Sequence, residues 1–154
     1  MPTADSPDGR EWLCTNGIGG YAAGTVSGVL TRRYHGLLVA ALHPPLGRTV
    51  MAAKVDEVVE YAGGRYALGA DRWADDTLAP QGYHHLRHFR LDGTSPVWTY
   101  AAGEARLEKR VWMEPGANQI LAVSLAESPL SPARQRGVVE ACARELLTPY
   151  GLRS

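Results

Sequence analysis

The sequence predicts a mainly β protein, an antiparallel β-sandwich followed by a short C-terminal helix. Three observations lead there. Five glycines between Gly17 and Gly28 give way to a polar cluster, Thr31 to His35, and then to an unbroken apolar run, Leu37 to Leu42. An unbroken run of that length suits a strand buried on both faces. From His85 to Leu125, short segments with period-two alternation are separated by Asp92-Gly93, Ala102-Gly103 and Pro115-Gly116, the pattern of an antiparallel meander. Helical periodicity begins only at Ala133, where Val138, Val139, Cys142 and Leu146 form an apolar stripe.

Taken in order, Met1 to Arg10 reads as a flexible arm, rich in Pro and Asp. Trp12 to Gly28 should form short strands interrupted by a glycine-rich bend, which another backbone or a ligand approaches closely. His43 to Gly47 carries two prolines and is a loop. Val50 to Tyr61 reads as one long strand with Met51, Ala53, Val55, Val59 and Tyr61 on a shared face. Gly63-Gly64 then turns the chain into a return strand, Arg65 to Leu68. Asp71 to Tyr83 lacks periodicity and reads as a long surface loop.

Strands are expected at His85 to Leu91, Val97 to Tyr100, Ala105 to Met113 and Gln119 to Leu125. In the third, Leu107, Lys109, Val111 and Met113 share one face and Arg106, Glu108, Arg110 and Trp112 the other. Ser128 to Pro132 is a breaker. Ala133 to Leu147 follows as the helix, with Arg136, Glu140 and Arg144 spaced four apart on its polar side. Trp12, Trp73, Trp98 and Trp112 are expected mostly in the core or at a domain interface.

Composition excludes several classes of function. Sixteen basic residues balance sixteen acidic ones among 154, so no electrostatic case exists for nucleic acid or an anionic membrane surface. No apolar run approaches the roughly 20 residues that span a bilayer, and Met1 to Arg10 has no apolar signal core, so the expected location is cytoplasmic. Cys14 and Cys142 are the only cysteines. Far apart and without Cys-x-x-Cys spacing, they suggest buried thiols rather than a zinc knuckle or a disulfide framework.

Glu11-Trp12-Leu13, Thr15-Asn16-Gly17, Gly19-Gly20-Tyr21, Gly24-Thr25, Thr31 to Leu38, Pro44-Pro45, Gly47-Arg48 and Lys54 with Asp56-Glu57 recur at a spacing that resembles the N-terminal domain of bacterial and archaeal-type glycogen debranching enzymes. The likeness continues through Gly82 to Leu86, Phe89 to Gly93, Pro96-Val97-Trp98 and Leu107 to Val111, up to about Asn118. It implies a β domain over residues 11–127 that packs on a helical catalytic barrel in a family hydrolysing α-1,6-linked glucose at glycogen or maltodextrin branches. The end of the chain, Arg144 to Ser154, resembles a different part of that family, a helix running into a Thr-Pro-x-Gly-Leu-Arg-Ser loop of the catalytic domain. Residues 128–154 are therefore expected to be a linker and a helix from that domain. The chain as a whole is expected to be a truncated or internally deleted enzyme, joined between Ala122 and Pro132 and non-catalytic by itself; a stand-alone glucan-binding module and a non-functional fragment are the alternatives.

The candidate sites follow from side-chain chemistry. Gly17 to Ala22 fits a dinucleotide fingerprint in letters, but the glycine-rich and β-branched residues after it are poor helix formers; Gly19 to Thr25 lacks the lysine of a phosphate loop. No cofactor is expected. His84, His85 and His88 have no carboxylate or thiol at ligand spacing, so no metal is expected. Asp56-Glu57 and Asp75-Asp76 raise the carboxylate pair of a glycosidase, yet adjacent acids on a strand face opposite ways and loop acids are usually solvated, so no catalytic residue is assigned. Arg33, Tyr34 and His35 are the candidate substrate-binding residues: an aromatic plane for the apolar face of a sugar ring beside donors for its hydroxyls. The competing reading has Arg32 and Arg33 pairing with Asp56 or Glu57 to lock the sheet. The expected partner is an α-glucan, not a nucleic acid or a membrane.

Overall fold

A computed structural model of the chain describes residues 9–129 and 131–142. In chain order the elements are β1 (Glu11–Thr15), β2 (Tyr21–Thr25), β3 (Gly36–His43), β4 (Leu46–Ala52), β5 (Val58–Tyr61), β6 (Gly64–Ala67), β7 (Ala70–Arg72) and β8 (Leu78–Gln81). A turn of 3-10 helix (Gly82–His85) follows, and then β9 (Leu86–Asp92), β10 (Ser95–Ala102), β11 (Ala105–Met113), β12 (Gln119–Ser128) and β13 (Ser131–Cys142). Strands β1 to β4 lie side by side in sequence order in one antiparallel sheet, and β9 to β13 make a second antiparallel sheet, also in sequence order. Strands β5 with β6 and β7 with β8 form separate hairpins.

The two large sheets stack as a sandwich, because each turns one apolar face inward. Cys14, Ala22, Leu37 and Leu38 from the first sheet meet Trp98, Tyr100, Leu107, Val111, Met113, Ile120 and Ala122 from the second in one buried cluster. Trp98 sits at its centre, edge-on to Trp12 with ring centroids 5.3 Å apart and tilted against Phe89 at the same distance. Residues 36–41 of β3 are all buried, as the apolar run demands. On β11, Leu107, Val111 and Met113 are buried, and Lys109 shares their face. Its ammonium is accommodated there by the Glu57 carboxylate at 2.7 Å and by the Trp98 ring, whose centroid is 5.7 Å away.

In the connection between β1 and β2, the glycine-rich bend is approached by another backbone. Gly19, at φ +101°, would place a Cβ 2.7 Å from the Pro45 carbonyl oxygen, so no other residue fits. Asn16 fills the bend, accepting from the Ile18 and Gly20 amides at 3.1 and 2.9 Å and donating to the Ala117 carbonyl at 3.0 Å and the Asn118 Oδ1 at 3.2 Å. Asn118 in turn accepts from the Ala41 amide and donates to the Ala41 carbonyl, which ties the β11–β12 connection to the first sheet.

Three expectations are corrected. The stretch 50–61 is not one strand: β4 ends at Ala52 and β5 begins at Val58. Between them Lys54 is drawn to Asp56 and Asp71, and Glu57 to Lys109 of the other sheet, while Val55 and Val59 keep their place against the core. Ala53, expected on the same face, is exposed, and Ala52 packs against the core instead, so the alternation slips where the ladder breaks. The stretch 71–83 is a hairpin and a 3-10 turn rather than a long loop. Asp76 adopts φ +66°, and the Asp75 carboxylate accepts from the Thr77 amide at 3.0 Å, closing the turn from within.

Ala133 to Leu147 is not helical where it is described. Ser131–Cys142 pairs with β12 from Ser128↔Ser131 to Gln119↔Cys142. Gly137 and the β-branched pair Val138-Val139 weaken a helix here, and as a strand they give the outer edge of β12 the hydrogen bonds it would otherwise lack. The linker expected from residue 128 is therefore the turn of a hairpin. The remainder of that helix, the segment Arg144 to Ser154 that resembles a catalytic-domain loop, and all but the last two residues of the expected arm at 1–10 lie outside the described residues.

Candidate functional site

The polar cluster after the glycine-rich stretch lies where β2 gives way to β3. Thr25 and Ser27, both buried, join their hydroxyls at 2.9 Å, and Thr25 Oγ1 donates to the Val29 carbonyl at 2.7 Å. These bonds satisfy a buried turn from inside and fix the direction in which the loop 30–35 leaves it. The loop closes on itself through the His35 amide, which donates to the Arg32 carbonyl at 3.1 Å. The Tyr21 hydroxyl donates to the Tyr34 carbonyl at 3.1 Å. At its base, Arg32 Nε meets the Glu11 carboxylate at 2.6 Å.

The three candidate residues divide by position. Tyr34 is 49% exposed and Arg33 is exposed beside it, the guanidinium carbon 5.6 Å from the ring centroid. His35 turns inward and is 5% exposed. Its Nδ1 accepts from the Thr31 amide at 3.2 Å, so the neutral ring carries its proton on Nε2, which lies 3.6 Å from Glu11. Arg33 and Tyr34 face solvent; His35 braces the loop that presents them. The pairing of Arg32 and Arg33 with Asp56 or Glu57 does not occur: Arg32 binds Glu11, Arg33 lies over Tyr34, Asp56 meets Lys54, and Glu57 meets Lys109.

Burial pushes the His35 pKa below the ordinary 6.5; the Glu11 carboxylate opposes that shift and the Arg32 charge reinforces it. The folded state thus binds a proton at His35 less readily than the unfolded chain, and the contribution to stability rises with pH. Stability should fall as pH drops below about 6.5, levelling off once the folded ring also protonates. His35→Asn keeps an acceptor for the Thr31 amide and removes the titration. Denaturation midpoints measured between pH 5 and pH 8 are expected to fall less steeply on acidification for the variant than for the wild type, whereas parallel profiles would show that His35 is not the source.

Beside this loop a narrow pocket of about 60 Å³ opens between the sheets, with Trp12, Trp98, Tyr100, Lys54, Glu57 and Lys109 among its lining. That volume suits a few waters or one hydroxymethyl-sized group rather than a whole sugar. Lys54 donates to the Ala70 carbonyl at 3.2 Å and contacts Asp56 at 2.9 Å and Asp71 at 2.6 Å. Glu11, Asp56, Asp71 and Glu57 are each engaged by a cation. Burial raises the Tyr100 pKa further from neutrality, and the nearby Glu57 charge acts in the same direction.

The remaining candidates lie elsewhere. Asp75 caps its own turn and Asp76 meets Arg72 at 3.5 Å. His84 bonds Gln81 at 3.0 Å and stacks on Tyr83, while His85 stands edge-on to Tyr66. Among the described residues no three His, Cys, Asp or Glu side chains converge as a metal site, and no helix is long and apolar enough to cross a membrane. Burial raises the Cys14 thiol to about 11, which leaves it protonated at neutral pH. Trp73, expected in a core or interface, is 62% exposed and donates its indole N–H to the Ala79 carbonyl at 2.9 Å. Glu11 belongs to the family-like residues, but no pattern in the sequence signals that it joins Arg32 to His35.

The family model described as glycogen debranching enzyme N terminal matches residues 10–128. No curated protein and no solved structure matches the chain.

Proposed function

Since the chain belongs to the glycogen debranching enzyme N-terminal family, we propose that its β domain contacts α-glucan through Arg33 and Tyr34 and carries no hydrolytic acid or base of its own. The observation behind this reading is the braced presentation of that pair. Three hydrogen bonds and an ion pair hold the loop 30–35, yet its ring and guanidinium face solvent. A rigid loop that spends its internal bonds on holding an aromatic outward is suited to ligand contact. A pyranose presents an apolar C–H face for Tyr34 and hydroxyls for the Arg33 fork. His35 acts as a positioning residue beneath them.

Hydrolysis of a glycosidic bond needs one carboxyl to protonate the leaving oxygen and another to activate water or attack the sugar. The acids near the loop are instead committed to Arg32, Lys54 and Lys109, which supports a binding role. A shallow contact of this kind should have millimolar affinity, about 4 kcal/mol. In a calorimetric titration with maltotetraose, Tyr34→Ala and Arg33→Ala are each expected to weaken binding about fivefold or more while leaving the melting temperature nearly unchanged. A limit dextrin incubated with the protein is expected to release no glucose above a protein-free control. Equal binding by wild type and both variants would overturn the proposed contact; glucose release abolished by changing an acid of this chain would overturn the non-catalytic part.

A further inference from the structure

We propose that a second oligosaccharide-binding groove, centred on Trp112, lies at the other end of the sandwich; the choice of α-glucan as its ligand rests on the reading above. The groove encloses about 400 Å³ where β1 and β11 end and β10 begins, with Thr15, Thr94, Ser95, Arg110, Trp112 and Pro115 in its lining. That volume is in the range of small-ligand sites. It is separate from the Arg33 and Tyr34 loop. Strand β1 runs from Glu11, which braces that loop, to Thr15 in the groove, a span of about 13 Å at the usual rise per residue.

The indole groups carry the argument. Trp12 donates its N–H to the Thr25 carbonyl at 3.2 Å, Trp73 to Ala79 at 2.9 Å and Trp98 to Val26 at 3.0 Å. Trp112 is half-buried, and its N–H has no protein acceptor among the described residues. An indole nitrogen can only donate, and a half-buried one ordinarily finds a partner. Trp112 lines the groove with its N–H open to solvent, where an acceptor brought by a ligand can take the place of water.

The surroundings specify the ligand's chemistry. Arg110 lies two residues away on the same face of β11, its guanidinium held by the Asp92 carboxylate. This pairing offsets part of its charge and leaves its other donors available. The hydroxyls of Thr15, Thr94 and Ser95 can both donate and accept. An aromatic face, available donors, amphoteric hydroxyls and a partly offset charge favour a neutral polyol over a phosphate polymer or a carboxylate.

The test is a titration of the full chain with maltotetraose by proton–nitrogen NMR, following the four tryptophan indole signals and the backbone amides of residues 31–35. The Trp112 indole is expected to shift saturably while that of Trp73, already bonded, stays in place. Trp112→Ala should weaken the response of groove amides such as Ser95 and Arg110 about tenfold; Trp112→Phe, which keeps a ring and disturbs packing less, should weaken it partly. Tyr34→Ala should leave the Trp112 response intact. Shifts confined to residues 31–35 overturn the groove and leave the loop reading standing. Shifts confined to the groove support it and overturn the loop reading. No saturable shift in either place overturns both.

Discussion

Trp98→Ala is expected to unfold most of the population or to cost about 3–5 kcal/mol, the range for removing a large buried aromatic. Domains of this kind have only about 5–15 kcal/mol of stability in total. Trp98 is 4% exposed, meets Trp12 edge-on, packs against Phe89, and lies beneath the Lys109 ammonium. Its indole N–H also satisfies the Val26 carbonyl from across the sandwich, so alanine leaves an unpaired acceptor as well as a cavity. Trp98→Phe separates these effects, retaining most of the packing while losing the bond, and should cost about 1–3 kcal/mol. Trp73→Ala is the reference, because that ring is largely in water. Urea denaturation followed by circular dichroism gives all three midpoints. A Trp98→Ala midpoint no lower than that of Trp73→Ala would show that the two sheets do not depend on this contact.

The same tryptophans show how far the sequence reaches. Alternation on β11 places Lys109 among apolar residues on the inner face, and the structure confirms that face; alternation does not name Glu57 or Trp98 as the groups that make a lysine tolerable there. The meander from β9 to β12 was legible because its pairing is local, each strand returning beside the last through a short turn. Departures arose where a distant residue decides the outcome. Lys54 and Glu57 leave the ladder for partners on β7 and β11, and residues 131–142 become a strand because β12 offers an edge.

The candidate site follows the same division. A polar cluster between a glycine-rich bend and a buried strand places Arg33 and Tyr34 at the end of a sheet, which is where they lie. The inward turn of His35 depends on Glu11 and the Thr31 amide, and residue type alone does not specify those contacts. The groove around Trp112 was not legible at all. Its lining comes from three separate strand ends, and the signal that singles it out is an indole N–H that, unlike the other three, has no protein acceptor among the described residues.

Asn16→Ala is expected to cost about 3 kcal/mol, more than a polar-to-alanine change at a surface position. Asn16 is 2% exposed, and its side chain serves the Ile18 and Gly20 amides, the Ala117 carbonyl and Asn118 together. Alanine strands donors and acceptors on both sides, and each orphaned group costs roughly 1–3 kcal/mol when truly buried. Asn16→Asp is the informative control. It preserves the acceptor for Ile18 and Gly20 but turns a carboxylate oxygen toward the Ala117 carbonyl and Asn118 Oδ1, so it should also destabilise, and aspartate's acceptor capacity will not rescue it. Asn118→Ala should cost a similar amount, because its amide grips both backbone groups of Ala41. The two asparagines share a bond, so the double alanine variant should lose less than the sum of the single losses, with a coupling of about 0.5–3 kcal/mol. Denaturation midpoints of the four proteins in the cycle supply the test: strictly additive losses would mean that the two asparagines act separately rather than as one clip between the sheets.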